Sequence, residues 1–167
     1  MRPMSMSLIV SLIVSIPALA AAEPAEGLEP MAFLADHCWK GTFPDGQATD
    51  EHCFAWLYGG KALRDTHVVR APGRPDYVGE STYYWDSAAK RVEYVYIENF
   101  GGISRGTMQG GADALVFAPT QYVAEGQSMT YRARWTRQGE DAYEAWSEAE
   151  DKGNWSTMFK LVLKRSQ

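Results

Sequence analysis

From residue 38 onward the chain alternates between short apolar-rich segments and turn residues. The segments run about 6 to 12 residues and are rich in Val, Thr, Tyr and Trp. Turn signals fall at Pro44-Asp45-Gly46, Gly59-Gly60, Pro72-Gly73-Arg74-Pro75, Asp86-Ser87, Gly101-Gly102, Gly110-Gly111, Gly126, Gln138-Gly139 and Lys152-Gly153. Short strands at this spacing predict an all-β sandwich or barrel. Met129, Tyr131, Ala133 and Trp135 alternate with polar neighbours, and Phe159, Leu161 and Leu163 alternate with Met158, Lys160, Val162 and Lys164. That period of two predicts strands with one buried face. Tyr77 to Trp85 and Arg91 to Asn99 are aromatic or apolar on both faces, so the pattern does not say which side is inside. Counting segments gives eight to ten strands. Met31, Phe33 and Leu34, within Pro30 to Asp36, predict a short N-terminal helix of one or two turns.

The first two hairpins can be registered. A loop of two or four residues centred on Asp45-Gly46 sets Cys38 opposite Cys53, Lys40 opposite Glu51 and Thr42 opposite Thr49. All three are favourable cross-strand pairs, and directly opposed cysteines are within disulfide reach. A loop centred on Gly59-Gly60 then sets Trp56 opposite Leu63, Phe54 opposite Asp65 and His52 opposite His67. These residues share the face of Trp39, which should be the interior. A three-residue loop would shift the register by one and turn every side chain to the other face.

The first 22 residues have the layout of a secretory signal peptide. Arg2 is followed by an apolar run from Leu8 to Leu19 and by small-residue cleavage sites around Ala20 and Ala22. No apolar run reaches the roughly 18 residues of a membrane span. The expected organisation is residues 1–22 as signal, 23–29 as a polar leader and 30–167 as one domain. The destination is the periplasm or the extracellular space, where a Cys38–Cys53 disulfide is the default. Closing that loop should stabilise the fold by roughly 3 kcal/mol. Removing Arg2 with the signal leaves 15 basic against 21 acidic side chains. An acidic domain without a basic cluster is a poor partner for nucleic acid.

Cys38-Trp39-Lys40-Gly41, the meander that follows it, and a final strand ending Lys164-Arg165 resemble the lipocalin-like (calycin-type) families, in an exported bacterial form. In those families a Gly-x-Trp motif opens the first strand and a basic residue near the last strand covers the Trp. Trp39 matches the Trp, Gly41 a glycine found in some bacterial relatives, and Lys164 or Arg165 the basic residue. His37 stands where the family has glycine. The resemblance implies an antiparallel meander β-barrel enclosing a small apolar ligand. A haem-binding branch of similar barrels uses an axial His near the C-terminus. Here the three histidines are His37, His52 and His67, so that role does not carry over.

Three functions follow. The first is non-enzymatic binding of a small apolar or aromatic ligand by a monomer. Trp39, His52, Phe54, Trp56, Asp65, His67, Tyr131 and Trp135 would line the site. The competing view is that these aromatics simply fill the barrel. The second is a His-based or metal-dependent enzyme using His52, His67 and Asp65, with His52 and His67 as metal ligands. Asp50 and Asp65 are the nearby carboxylates on that face. The third is an interaction module with a filled core and an exposed apolar patch. Gly101-Gly102 lacks the ending of a phosphate loop and predicts a hairpin turn. No motif names a cofactor, and no seryl elbow marks a nucleophile.

Overall fold

The computed structural model describes residues 23–166. The expected signal segment, residues 1–22, lies outside the described residues. Ten antiparallel strands follow in chain order: β1 (Cys38–Thr42), β2 (Thr49–Leu57), β3 (Ala62–Arg70), β4 (Tyr77–Asp86), β5 (Arg91–Glu98), β6 (Ile103–Gly110), β7 (Ala114–Ala124), β8 (Gln127–Arg137), β9 (Ala142–Asp151) and β10 (Asn154–Arg165). Each strand pairs with its sequence neighbour, and β10 returns to β1 to close the barrel. The closing pairs are Trp39 with Arg165 and Lys40 with Lys164. Closure removes the unpaired edges that an open sheet would expose.

Both loops that set the first registers have an even number of residues. Phe43 N–H donates to the Ala48 carbonyl, leaving Pro44–Gln47 as the loop. Leu57 pairs with Ala62 across the second turn. Cys38 therefore opposes Cys53, and the two form a disulfide. His52 opposes His67, and Phe54 opposes Asp65.

Further along, the pairing slips in β7, between Phe117 and Thr120, where Pro119 sits. Proline has no N–H to give to a ladder, so within a sheet it is confined to edges and bulges. The two segments of ambiguous parity are resolved by their partners. Tyr83 pairs with Tyr94 inside the barrel, while Tyr84 points out and donates to Glu93.

In place of the expected short N-terminal helix there is one 3₁₀ turn, Glu29–Met31, continued by further turns. Each closes on the carbonyl three residues back: Met31 N–H to Leu28, Ala32 to Glu29 and Leu34 to Met31. Leu28, Met31 and Leu34 are all fully buried. Residues spaced by three line up on one side only at three residues per turn, so burying this set selects the tighter geometry. Among the described residues, no helix is long and apolar enough to cross a membrane.

This N-terminal segment plugs one end of the barrel. Ala25 N–H donates to the Gly60 carbonyl in the β2–β3 turn. Pro30 lies against Gly110 at the end of β6. At that end Trp39, Leu63, Leu115, Tyr143 and Leu163 pack without solvent exposure beyond 1%. The β1–β2, β3–β4, β5–β6, β7–β8 and β9–β10 loops gather at the opposite end, because the strands alternate in direction.

Candidate functional site

Interior side chains change character halfway along the strands. Nearest the plug are Trp56 on β2 and Leu63 on β3. Farther along come Phe54, then His52 and Asp50 on β2, and Asp65, His67 and Val69 on β3. Past this midpoint the barrel is hollow. A cavity of about 360 Å³ lies in the half bounded by the β1–β2 loop. Its wall includes Tyr77, Tyr83, Tyr94, Tyr96, Tyr122 and Tyr131, together with Trp135, Trp146 and Phe159.

One side of the cavity is charged. His52 Nδ1 lies 3.0 Å from both carboxylate oxygens of Asp65. Its Nε2 lies 3.2 Å from Asp50 Oδ2. His67 Nδ1 is 3.3 Å from Asp50 Oδ1, and its Nε2 is 3.0 Å from the Tyr96 hydroxyl. Tyr96 in turn donates to Tyr77 over 2.7 Å. The result is a hydrogen-bonded chain from Asp65 through His52, Asp50, His67 and Tyr96 to Tyr77. Gly79 makes the outer part possible. A Cβ at that position would collide with the His67 ring and would lie 2.6 Å from the Tyr96 hydroxyl.

The two histidine rings lie 4.8 Å apart and nearly parallel. Phe54 stacks on the other side of His52 at 6.0 Å, and Trp135 meets it edge-on. Burial by itself would drive His52 toward its neutral form. The charges and hydrogen bonds of Asp65 and Asp50 outweigh that and push its pKa up to about 10. Burial likewise opposes ionisation of Asp50, but His52 and His67 hold its carboxyl well below the usual range. Across neutral pH the protein without bound ligands thus carries an imidazolium between two carboxylates. Burial pushes the Tyr94 and Tyr96 phenols up. Both stay protonated and can donate.

The cavity wall takes in His52, Asp65, His67, Tyr131 and Trp135, five of the eight residues read from the sequence as ligand-binding. Phe54 lies one layer below them, 2% exposed. Trp39 and Trp56 stand at the plugged end, because β1 enters the barrel there and β2 ends there. Trp39 donates to the Leu34 carbonyl over 3.1 Å and meets Tyr143 edge-on. The Arg165 guanidinium covers its ring at 5.2 Å. That contact matches the basic residue expected over the Trp, with Arg165 rather than Lys164 in place. His37 also lies beside Trp39, at 6.3 Å, away from the cavity.

Sequence reasoning missed the tyrosines of β4 and β5 that complete the wall. β4 is aromatic on both faces and β5 is apolar on both, and only pairing outward from β3 fixes their parity. It also ranked Asp65 above Asp50 as the partner of both histidines. Asp50 is the carboxylate that reaches both.

No protein-family model and no curated protein matches the sequence. Among solved structures, the chain is similar to Rv2717c from M. tuberculosis at a TM-score of 0.58 and 16% identity. The match covers 87% of this chain and 100% of that one. At that identity the likeness establishes the barrel fold alone.

Proposed function

We propose that this chain is an exported lipocalin-like barrel, with residues 1–22 as its signal peptide, that binds a small apolar or aromatic molecule as a monomer in the periplasm or extracellular space. The cavity at the open end carries this reading. Its volume of about 360 Å³ falls in the range of small-molecule sites, which are mostly apolar with a few convergent polar groups. The tyrosine, tryptophan and phenylalanine faces supply the apolar area. The Asp50–His52–Asp65–His67 side supplies the polar groups that would fix orientation. A packed interaction module would have filled this space.

The arrangement gives no support to His52 as a general base. Both of its ring nitrogens face carboxylates, and an imidazole held as the cation has no lone pair to accept a proton.

The test is saturable binding of the neutral probe N-phenyl-1-naphthylamine, followed by probe fluorescence and by quenching of Trp135 and Trp146. Ala133, on the cavity wall, provides the control. Ala133→Trp should fill the cavity and weaken probe binding at least about tenfold, with near-ultraviolet circular dichroism showing a folded barrel. No saturable binding by the unsubstituted protein, or equal binding by Ala133→Trp, would reject the reading.

A further inference from the structure

We infer that Asp50, His52 and His67 form a binding site for one divalent transition-metal ion of the zinc class, with a coordination position open to the cavity. Asp50, His52 and His67 each offer one ligand atom within 4.8 Å of the others, and the ring nitrogens that face Asp50 are His52 Nε2 and His67 Nδ1. Asp50 reaches the two rings through different oxygens, Oδ2 to His52 Nε2 at 3.2 Å and Oδ1 to His67 Nδ1 at 3.3 Å. Ligand atoms around a tetrahedral zinc, each about 2.1 Å from the ion, stand about 3.4 Å apart. One carboxylate and two imidazoles suit such an ion. Calcium and magnesium would demand more oxygens.

The partners behind these ligands are the second, independent observation. Metal-bound histidines usually give their remaining N–H to a carboxylate, carbonyl or other acceptor, which fixes the tautomer. Both histidines here are held in that way. Asp65 takes the Nδ1 side of His52 at 3.0 Å and turns Nε2 toward Asp50. The Tyr96 hydroxyl lies 3.0 Å from His67 Nε2 and turns Nδ1 toward Asp50. With a metal on Nδ1, His67 Nε2–H donates to Tyr96, and Tyr96 donates onward to Tyr77. Both ring N–H groups then have an acceptor, and the direction runs outward from the ion.

Charge points the same way. An ion on Nε2 takes the place of the imidazolium proton of His52, and Asp50 and Asp65 with two neutral imidazoles then carry a total of −2 on side chains no more than 13% exposed. A single dication cancels it, and a buried charge is costly unless it is compensated. Asp65 becomes the positioning residue, and Asp50 takes the ligand role. His52 and His67 keep 12% and 13% of their side-chain surface. This leaves the cavity side as the open position, where the hetero atom of a bound molecule could complete the coordination. Three protein ligands and an open fourth position are the pattern of reactive rather than structural zinc sites. The inference concerns the ion alone and holds whichever organic molecule occupies the cavity.

The experiment is titration of the chelator-treated full chain with Co²⁺ and with Zn²⁺. Calorimetry gives stoichiometry, and the visible spectrum of Co²⁺ reports four-coordination. The expected result is one ion per chain with tetrahedral-type absorption. Asp50→Asn and His67→Gln should each weaken binding at least about 100-fold. Asp65→Asn, which leaves all three ligands in place, should weaken it about 10- to 100-fold. His37→Gln should bind like the unsubstituted protein. A readout without any substitution covers variants that fail to fold: Zn²⁺ should move the ring ¹⁵N resonances of His52 and His67 and leave those of His37 in place. The inference is overturned if the unsubstituted protein takes up no stoichiometric ion, or if those ring resonances do not move. It is also overturned if folded Asp50→Asn and His67→Gln bind as tightly as the original. None of these readouts uses an organic ligand, so failure here leaves the cavity reading standing, and failure of probe binding leaves this one standing.

Discussion

The two ends of the barrel are made of the same ten strands but solve different problems. At the plugged end, large apolar side chains interlock beneath the N-terminal turns, and Trp39, Leu63, Tyr143 and Leu163 are wholly buried. At the open end the inward positions carry acids, histidines and tyrosines around empty space. Interiors at close-packed density contribute most of the stabilising contact. Buried ion pairs contribute little net stability, because desolvation offsets their attraction. The difference teaches that stability and chemistry can divide between neighbouring inward positions of one strand. On β2 the change comes between Phe54 and His52, and on β3 between Leu63 and Asp65.

Substitutions can break that division. The largest effect is expected from Trp39→Ala, which should cost about 3–5 kcal/mol in urea denaturation. Probe binding under native conditions should fall little, because Trp39 is absent from the cavity wall. A loss of binding larger than the loss of stability would mean that the two ends are coupled.

Next is the disulfide, which closes a 15-residue separation beside the plugged end. Cys38→Ser with Cys53→Ser should lower stability by about 3 kcal/mol. It should leave the order among probe ligands unchanged.

Gly79→Ala sharpens the comparison from the open end. The added methyl presses on His67 and Tyr96, and forcing an atom into a filled space typically costs about 1–3 kcal/mol. Thermal melting should show that smaller loss. Histidine ring NMR should show His67 released from its fixed tautomer, with His52 unchanged. If melting drops as far as for Trp39→Ala, the open end is as structural as the plug.

Much of the fold was legible because hairpins are local. Asp45-Gly46 and Gly59-Gly60 sit at the centres of even loops, so the pairing of β1, β2 and β3 could be counted outward from the turns. The alternation of Met129, Tyr131, Ala133 and Trp135 gave their inward face for the same reason, and all four line the cavity. The tyrosines of β4 and β5 were not legible, since β4 carries aromatics on both faces and β5 sets Val95 and Ile97 on the face opposite Tyr94 and Tyr96. Nor was the N-terminal segment, whose apolar residues suit a helix until Leu28, Met31 and Leu34 must all point into the barrel.

The sequence by itself determined the strand punctuation, the registers of the first hairpins, the facing cysteines and the parity that turns His52, His67 and Asp65 inward. Each follows from a period of two and from the residues that turns require. Only the tertiary structure decided how deep each inward residue sits. Period two tells inside from outside but carries no coordinate along the barrel axis. Depth separates Trp39 and Trp56, which pack the plug, from Trp135, which lines the cavity. It also made Asp50, through its distance to both rings, the carboxylate shared by the two histidines.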